Sequence, residues 1–136
     1  AQMDKLESFC NKRREHFDIY QNIFKKYADY FILPEATETS DPAWFTYILT
    51  VKDEAPFDRN DFVSYLNDNR IETRNIFAGN MIRQPAFINT EYRIAESLKN
   101  TDVIMNNTFF LGTYPGLSNE MFSYIEAKVE EFIKKF

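Results

Sequence analysis

The sequence is poor in the residues from which most small active sites are built. One cysteine, Cys10, and one histidine, His16, occur in 136 residues. A lone thiol cannot close an internal disulfide, and one Cys with one His cannot assemble a zinc site or hold an iron–sulfur cluster. The two fall on different faces of one predicted helix, which also excludes a Cys/His nucleophile pair. The three glycines, Gly79, Gly112 and Gly116, are too scattered for a phosphate-cradling loop, so a nucleotide-binding βαβ unit is excluded. No apolar run approaches the roughly 18 to 20 residues that cross a bilayer, and none follows a charged start in the manner of a secretory signal. Sixteen Lys and Arg against 21 Asp and Glu give a net charge of −5, without the basic face that binding to a phosphate backbone requires. These absences predict a chain with no nucleic-acid partner and no membrane span, residing in a reducing, cytoplasmic compartment. Asn106-Asn107-Thr108 spells a glycosylation acceptor, read as coincidence in that setting.

What is plentiful is aromatic. Fourteen Phe, eight Tyr and one Trp make up 17% of the chain, with 44% hydrophobic and 27% charged residues. That balance suits one globular domain, or a piece of a larger one, and is far from the composition of disorder. So many rings also suggest surfaces built to meet something else.

Met3, Leu6, Phe9, Cys10, Phe17, Tyr20, Phe24, Tyr27 and Phe31 recur at helical spacing and predict one long amphipathic helix ending before Pro34. Nearly thirty residues would extend about 40 Å, longer than a domain of this size is wide, so part of the helix is expected to pack on something outside residues 1–136. His16, among Arg13, Arg14 and Glu15, reads as a solvated or salt-bridged helix residue. Residues 44–51 read as a buried strand, rich in aromatic and β-branched side chains. Asp58 caps a short helix whose apolar face is Phe62, Tyr65 and Leu66. Residues 71–77 read as a second strand, 78–85 as a loop, 91–99 as a short helix, and 102–105 and 108–111 as short strands. A turn over 112–116 leads to Ser118, which caps a last helix with Met121, Phe122, Ile125, Val129, Phe132 and Phe136 in one stripe. The fold class is α+β: a small, mainly antiparallel sheet packed by helices and preceded by a long connecting helix. The division is 1–33 for that helix and 34–136 for the small domain.

Chemistry concentrates in one loop, Thr73 to Pro85. It sets Arg74 and Arg83, Asn75 and Asn80, Gln84 and Phe77 beside Gly79, equipment for an anionic, hydroxyl-rich ligand. A plainer reading is a loop whose polar side chains satisfy its own backbone. The segment Asn107 to Leu117 admits the same two readings.

With these residues the chain resembles a known family. Lys12-Arg13-Arg14-Glu15-His16-Phe17, Leu33-Pro34-Glu35-Ala36-Thr37, Ser40 to Phe45, Thr73 to Pro85, Asn100-Thr101-Asp102 and Asn107 to Leu117 are similar, in order, to the C-terminal domain of the DegT/DnrJ/EryC1/StrS sugar-nucleotide aminotransferases and dehydrases, which are vitamin B6 enzymes. The pairing of Phe-Ala-Gly-Asn-x-x-Arg-Gln-Pro with Asn-Thr-Phe-x-x-Gly-x-Tyr-Pro-Gly-Leu most resembles the 3-dehydrases of deoxysugar and lipopolysaccharide biosynthesis, such as CDP-4-keto-6-deoxyglucose 3-dehydrase.

The resemblance implies fold type I: a large cofactor-binding domain, a connecting helix, then this small domain, in a homodimer with active sites at the subunit boundary. It implies pyridoxamine phosphate or pyridoxal phosphate in the whole enzyme and loss of the C3 hydroxyl from a nucleotide-linked 4-keto-6-deoxyhexose. The histidine or lysine at the cofactor belongs to the large domain; His16, Lys25, Lys26 and Lys52 do not match it. Residues 1–136 are thus expected to be a fragment without a catalytic residue of its own, binding no cofactor alone. Its expected contribution is substrate binding: Arg74 and Arg83 toward anionic groups, Asn80 and Gln84 toward sugar hydroxyls or loop shape, and Phe77 as an apolar wall that excludes water. The competing expectations are the corresponding domain of an aminotransferase, and a non-catalytic module that docks a partner on its first helix.

Overall fold

A computed structural model describes residues 2–136. Four helices, α1 (Leu6–Lys25), α2 (Arg59–Asp68), α3 (Lys99–Asn107) and α4 (Asn119–Ile133), accompany four strands, β1 (Phe31–Ile32), β2 (Thr46–Val51), β3 (Arg74–Asn75) and β4 (Thr108–Gly112). The strands form one sheet in the order β1-β2-β4-β3, antiparallel at every pairing. The α+β class is the expected one.

Alternation along β2 and β4 assigns the two faces of the sheet. Tyr47, Leu49 and Val51 of β2 join Phe109 and Leu111 of β4 in the core, all at most marginally exposed. Phe62 of α2 sits at the centre of that core, with ring centroids 5.2 Å from Phe31, 5.7 Å from Phe109 and 5.0 Å from Phe132. Burial of each such ring stabilises the fold by about 1.5 to 3 kcal/mol, and edge-to-face pairs such as Phe62–Phe132 add to it. Much of the aromatic surplus is thus core. On the opposite face the register sets Ile48, Phe110 and Arg74 in one row.

Helix α2 starts where expected, since Asp58 Oδ1 accepts from Asp61 N at 2.8 Å and Asp61 Oδ2 accepts from Asp58 N in return. Ser118 likewise caps α4, whose Phe122, Ile125, Val129 and Phe132 are buried.

Five expectations are corrected. The first helix ends at Lys25 rather than near Phe31, because Tyr30 N turns back to Tyr27 O and Phe31 leaves the helix to pair with Val51. The helical spacing persists beyond Lys25 because Tyr27 and Tyr30 still pack against the core from a turn. Its length, at 20 residues, is about 30 Å. The strand expected over 71–77 shrinks to Arg74–Asn75. No helix spans 91–99; the helix is instead Lys99–Asn107, covering a stretch whose Val103 and Ile104 suggested a strand. Arg59 fixes it from outside, donating to the terminal carbonyls of Asn106 (Nε, 3.0 Å) and Met105 (Nη2, 3.5 Å), where a cation suits the helix dipole.

His16 is the fifth. It is 3% exposed, with Nδ1 3.0 Å from Tyr114 O and its ring edge-on to Phe122. It lies on the inward stripe with Phe17, Tyr20, Ile23 and Phe24, whereas Arg13 and Arg14 reach away to the carbonyls of Trp44, Phe45 and Asp41. At the start of the chain Met3, Leu6 and Phe9 remain exposed.

Candidate functional site

A cleft of about 950 Å³ is lined both by Phe110 and Arg74, from the sheet face opposite the core, and by core-side residues including Leu111 and Ile125. Its sheet wall is Arg74, Phe77 and Phe110, its far wall Met121 and Tyr124 of α4, and its end Arg13 and Phe45. Phe110 holds the centre, with the rings of Phe45 and Phe77 on either side, each 6.4 Å away by centroid. Both flanking rings are open, Phe45 at 67% and Phe77 at 84% exposure.

Phe77 also carries a backbone anomaly, φ of 31°. An aromatic residue with positive φ is strained, and such strain persists only where the surroundings impose it. The restraints lie on both sides of the residue. Before it, Asn75 in β3 accepts a hydrogen bond from Arg59 Nη1. After it, Gly79 takes φ of 60° so closely against α3 that a Cβ would lie 2.5 Å from Met105 Cγ, which leaves glycine as the only fit.

The candidate ligand-binding residues separate into two groups. Arg74 and Phe77 line the cleft. Arg74 is shared with Glu72, whose Oε1 accepts from Nη2 at 2.7 Å and Nε at 3.0 Å; both side chains are well exposed, so the pair is weak and exchangeable. Asn80, Arg83 and Gln84 are engaged within the loop. Asn80 is buried, donating from Nδ2 to Asp102 Oδ1 at 2.7 Å and accepting from Ile82 N at 3.3 Å. Arg83 donates from Nε and Nη2 to the two oxygens of Asp102, each at 2.6 Å. Gln84 donates to Ala78 O.

Asp102 is therefore the hub of the loop, and sequence reasoning missed it by reading residues 102–105 as a strand. The Arg83 guanidinium, and after it the Asn80 amide, pull its carboxyl down to about 2. Arg13, read as helix surface, stands at the end of the cleft with its guanidinium 5.8 Å from the Phe45 ring centroid. Neither had a local signal, since each is recruited by a partner far away in sequence.

Within the cleft, Tyr20 donates its hydroxyl to Gly112 O at 3.3 Å, and burial pushes its pKa upward. The carboxyl of Glu120 is lowered by hydrogen bonds from Ser118 and from the start of α4. Both groups move away from the neutral range in which general acids and bases work. The Asn107–Leu117 segment serves as scaffold: Thr113 Oγ1 donates to Trp44 O at 2.6 Å, and Gly116 lets the chain lie against the Tyr114 ring.

The site is thus an aromatic cleft on a small antiparallel sheet, bordered by a loop clamped to α3. Residues 1–130 match the DegT/DnrJ/EryC1/StrS aminotransferase family. The chain belongs to that family. Among curated relatives, the lipopolysaccharide biosynthesis protein RfbH of Salmonella typhimurium is 43% identical over 97% of this chain and 30% of its own length. The dTDP-4-dehydro-2,6-dideoxy-D-glucose 3-dehydratase of Saccharopolyspora spinosa is 36% identical over 99% of this chain and 29% of its own. The chain thus spans a little under a third of these relatives. Among solved structures, a GDP-4-keto-6-deoxymannose-3-dehydratase with a trapped PLP-glutamate geminal diamine superposes with a TM-score of 0.81, at 23% identity, over 93% of this chain and 32% of that one. The aminotransferase from Psychrobacter cryohalolentis reaches 0.87 at 17% identity, over 98% and 36%. At these identities the superpositions establish a shared fold, and that fold is common to dehydratases and aminotransferases alike.

Proposed function

We propose that this chain is the small-domain part of a 3-dehydratase that removes the C3 hydroxyl of a nucleotide-linked 4-keto-6-deoxyhexose, in deoxysugar and lipopolysaccharide biosynthesis. The observation that carries the reading is Phe77, an exposed aromatic ring held at positive φ on the wall of the cleft. An apolar wall beside the reacting carbons keeps water from them, which favours elimination; transamination instead needs water and a polar group to move protons. The 3-dehydratase named among the relatives at 36% identity points the same way.

Within this reading Phe77, with Phe45 and Phe110, shapes a dry boundary, and Arg74 exchanges Glu72 for an anionic group of the substrate. Asn80, Arg83 and Gln84 act by holding the loop. The residues lining this cleft lack the groups expected of a pyridine-phosphate cofactor site. Among the described residues lining the cleft there is no lysine or aspartate, and Glu120 is tied to the start of its own helix. This reading places pyridoxamine phosphate, and the residues that hold it, in another part of the protein. The same reading takes residues 1–33 as the connector, 34–136 as the small domain, a homodimer as the working unit and the cytoplasm as its location. Among the described residues no helix is long and apolar enough to cross a membrane.

The test is to incubate the full-length protein and pyridoxamine phosphate with CDP-, dTDP- and GDP-linked 4-keto-6-deoxyhexoses and follow the sugar by mass. Loss of the C3 oxygen from one of them supports the proposal. Glutamate-dependent gain of an amine at C4, without that loss, refutes it in favour of an aminotransferase.

A further inference from the structure

We infer that Asp102 is a positioning residue for Phe77, acting through the loop between them; the catalytic consequence rests on the dehydratase reading above, the mechanical one does not. Asp102 and Met105 stand three residues apart on α3, on one face of the helix. Both grip the same loop by different means. The Asp102 carboxylate takes three hydrogen bonds, two from Arg83 and one from Asn80, and Met105 packs where a Gly79 side chain would stand. The forked Arg83 contact is directional as well as charged, so it fixes the orientation of the loop and not just its distance. Arg59 fastens the same helix to the other end of the loop, since it donates to Met105 O, Asn106 O and Asn75 Oδ1. Phe77 is left between two anchored points with its ring free, and its φ of 31° is what that anchoring imposes.

Asp102 itself does not line the cleft; it opens instead on a separate hollow with Arg83, Ser97 and Asn106. It therefore has no route to the substrate except through the loop. Arg83, held by both oxygens of Asp102, is correspondingly withdrawn from anion binding.

The experiment compares the full-length protein with its Asp102→Asn, Phe77→Leu and double variants, with Arg83→Gln as a milder release of the same anchor. Two quantities are read: hydrogen exchange of the amides of residues 77–84 against those of α4, and kcat and KM for the nucleotide-linked 4-keto sugar. Asp102→Asn should speed exchange over 77–84 by at least about tenfold while α4 is unmoved. It should also lower kcat by on the order of ten- to a hundredfold and leave KM within about twofold. Arg83→Gln should move both readouts in the same direction by less. In the Phe77→Leu background, Asp102→Asn should cost no further kcat beyond about twofold. Unchanged exchange over 77–84 overturns the inference whatever the activity. So does a kcat loss that persists undiminished without the Phe77 ring, or a loss that falls wholly on KM. A wild-type protein that dehydrates none of the sugars defeats the proposed function alone, because the exchange comparison still decides whether Asp102 holds Phe77 in place.

Discussion

Replacing Gly79 by alanine tests the geometry of the loop more sharply than any core truncation. Two costs combine. The first is conformational: at φ of 60° an L-residue is disfavoured by about 1 to 2 kcal/mol. The second is steric, because the new Cβ would meet Met105 Cγ at 2.5 Å, its Cβ at 2.7 Å and its Cα at 3.1 Å. Rotation of the Met105 side chain removes only the first of these contacts; the others belong to the frame of α3, so relief requires helix or loop to move. Overpacking of this kind costs about 1 to 3 kcal/mol, and Gly79→Ala should therefore destabilise the chain by about 2 to 5 kcal/mol in total. Urea unfolding gives the value directly, provided the slope of the transition is unchanged. Two companions separate the parts. Gly79→Asn, whose side chain tolerates the left-handed region, should recover most of the conformational cost and none of the steric one. Adding Met105→Ala to Gly79→Ala should recover part of the steric cost. A loss below about 0.5 kcal/mol for Gly79→Ala, typical of an unconstrained surface site, would mean that α3 does not press on the loop.

Other outcomes follow from the same structure. If the proposed function holds, Phe77→His in the full-length protein should depress dehydration without lowering the unfolding temperature, while Leu66→Ala, fully buried, should cost about 2 to 5 kcal/mol of stability; equal destabilisation by both would make Phe77 a packing residue. The carboxyl of Asp102, at about 2 when folded and about 3.9 in an unfolded chain, stabilises fully above about pH 5 and loses that contribution as pH falls toward 2. The stability gap between wild type and Asp102→Asn, followed by denaturant titration, should thus be constant above pH 5 and close in that acid window; a gap that stays constant down to pH 2 contradicts the pairing. Finally, the open Met3, Leu6 and Phe9 side chains should drive concentration-dependent self-association that Leu6→Glu with Phe9→Glu abolishes. Sedimentation of the unmodified chain as a strict monomer at high concentration would count against an interface there.

The parts of the fold that could be read from sequence are those governed by local rules. Asp58 and Ser118 are caps because a short acceptor before an apolar period satisfies free helix amides, and β4 is a strand because Thr108 to Leu111 is a β-forming run. What could not be read was decided across long separations. Phe31 obeyed the helical period and was taken by Val51 instead; Val103 and Ile104 look like strand residues and lie in a helix whose end is capped by Arg59. His16 sits in a charged tetrapeptide, yet its position on the inward stripe buries it against Tyr114, 98 residues away. The candidate site divides along the same line. That the loop around Gly79 carries polar chemistry was visible in its composition. That Arg83 and Asn80 are consumed by Asp102, leaving Phe77 and Arg74 to face the cleft, depended on the position of α3.

The two adjacent phenylalanines of β4 make this sheet unusually vulnerable to a particular error. Phe109 points into the core and Phe110 into the cleft, so a one-residue slip of β4 against β2 would exchange one ring for the other. At these two positions the hydrophobic pattern offers little resistance to that exchange, and only the loss of Leu111 from the core opposes it. Discrimination falls to the polar stops at the ends of the strand: the hydroxyls of Thr50 and Thr108, 2.8 Å apart, and Thr113 Oγ1 on Trp44 O. Those threonines act as indexing marks for a strand that its largest residues cannot index, and replacing them with valines would keep the bulk of the sheet while removing its means of telling core from cleft.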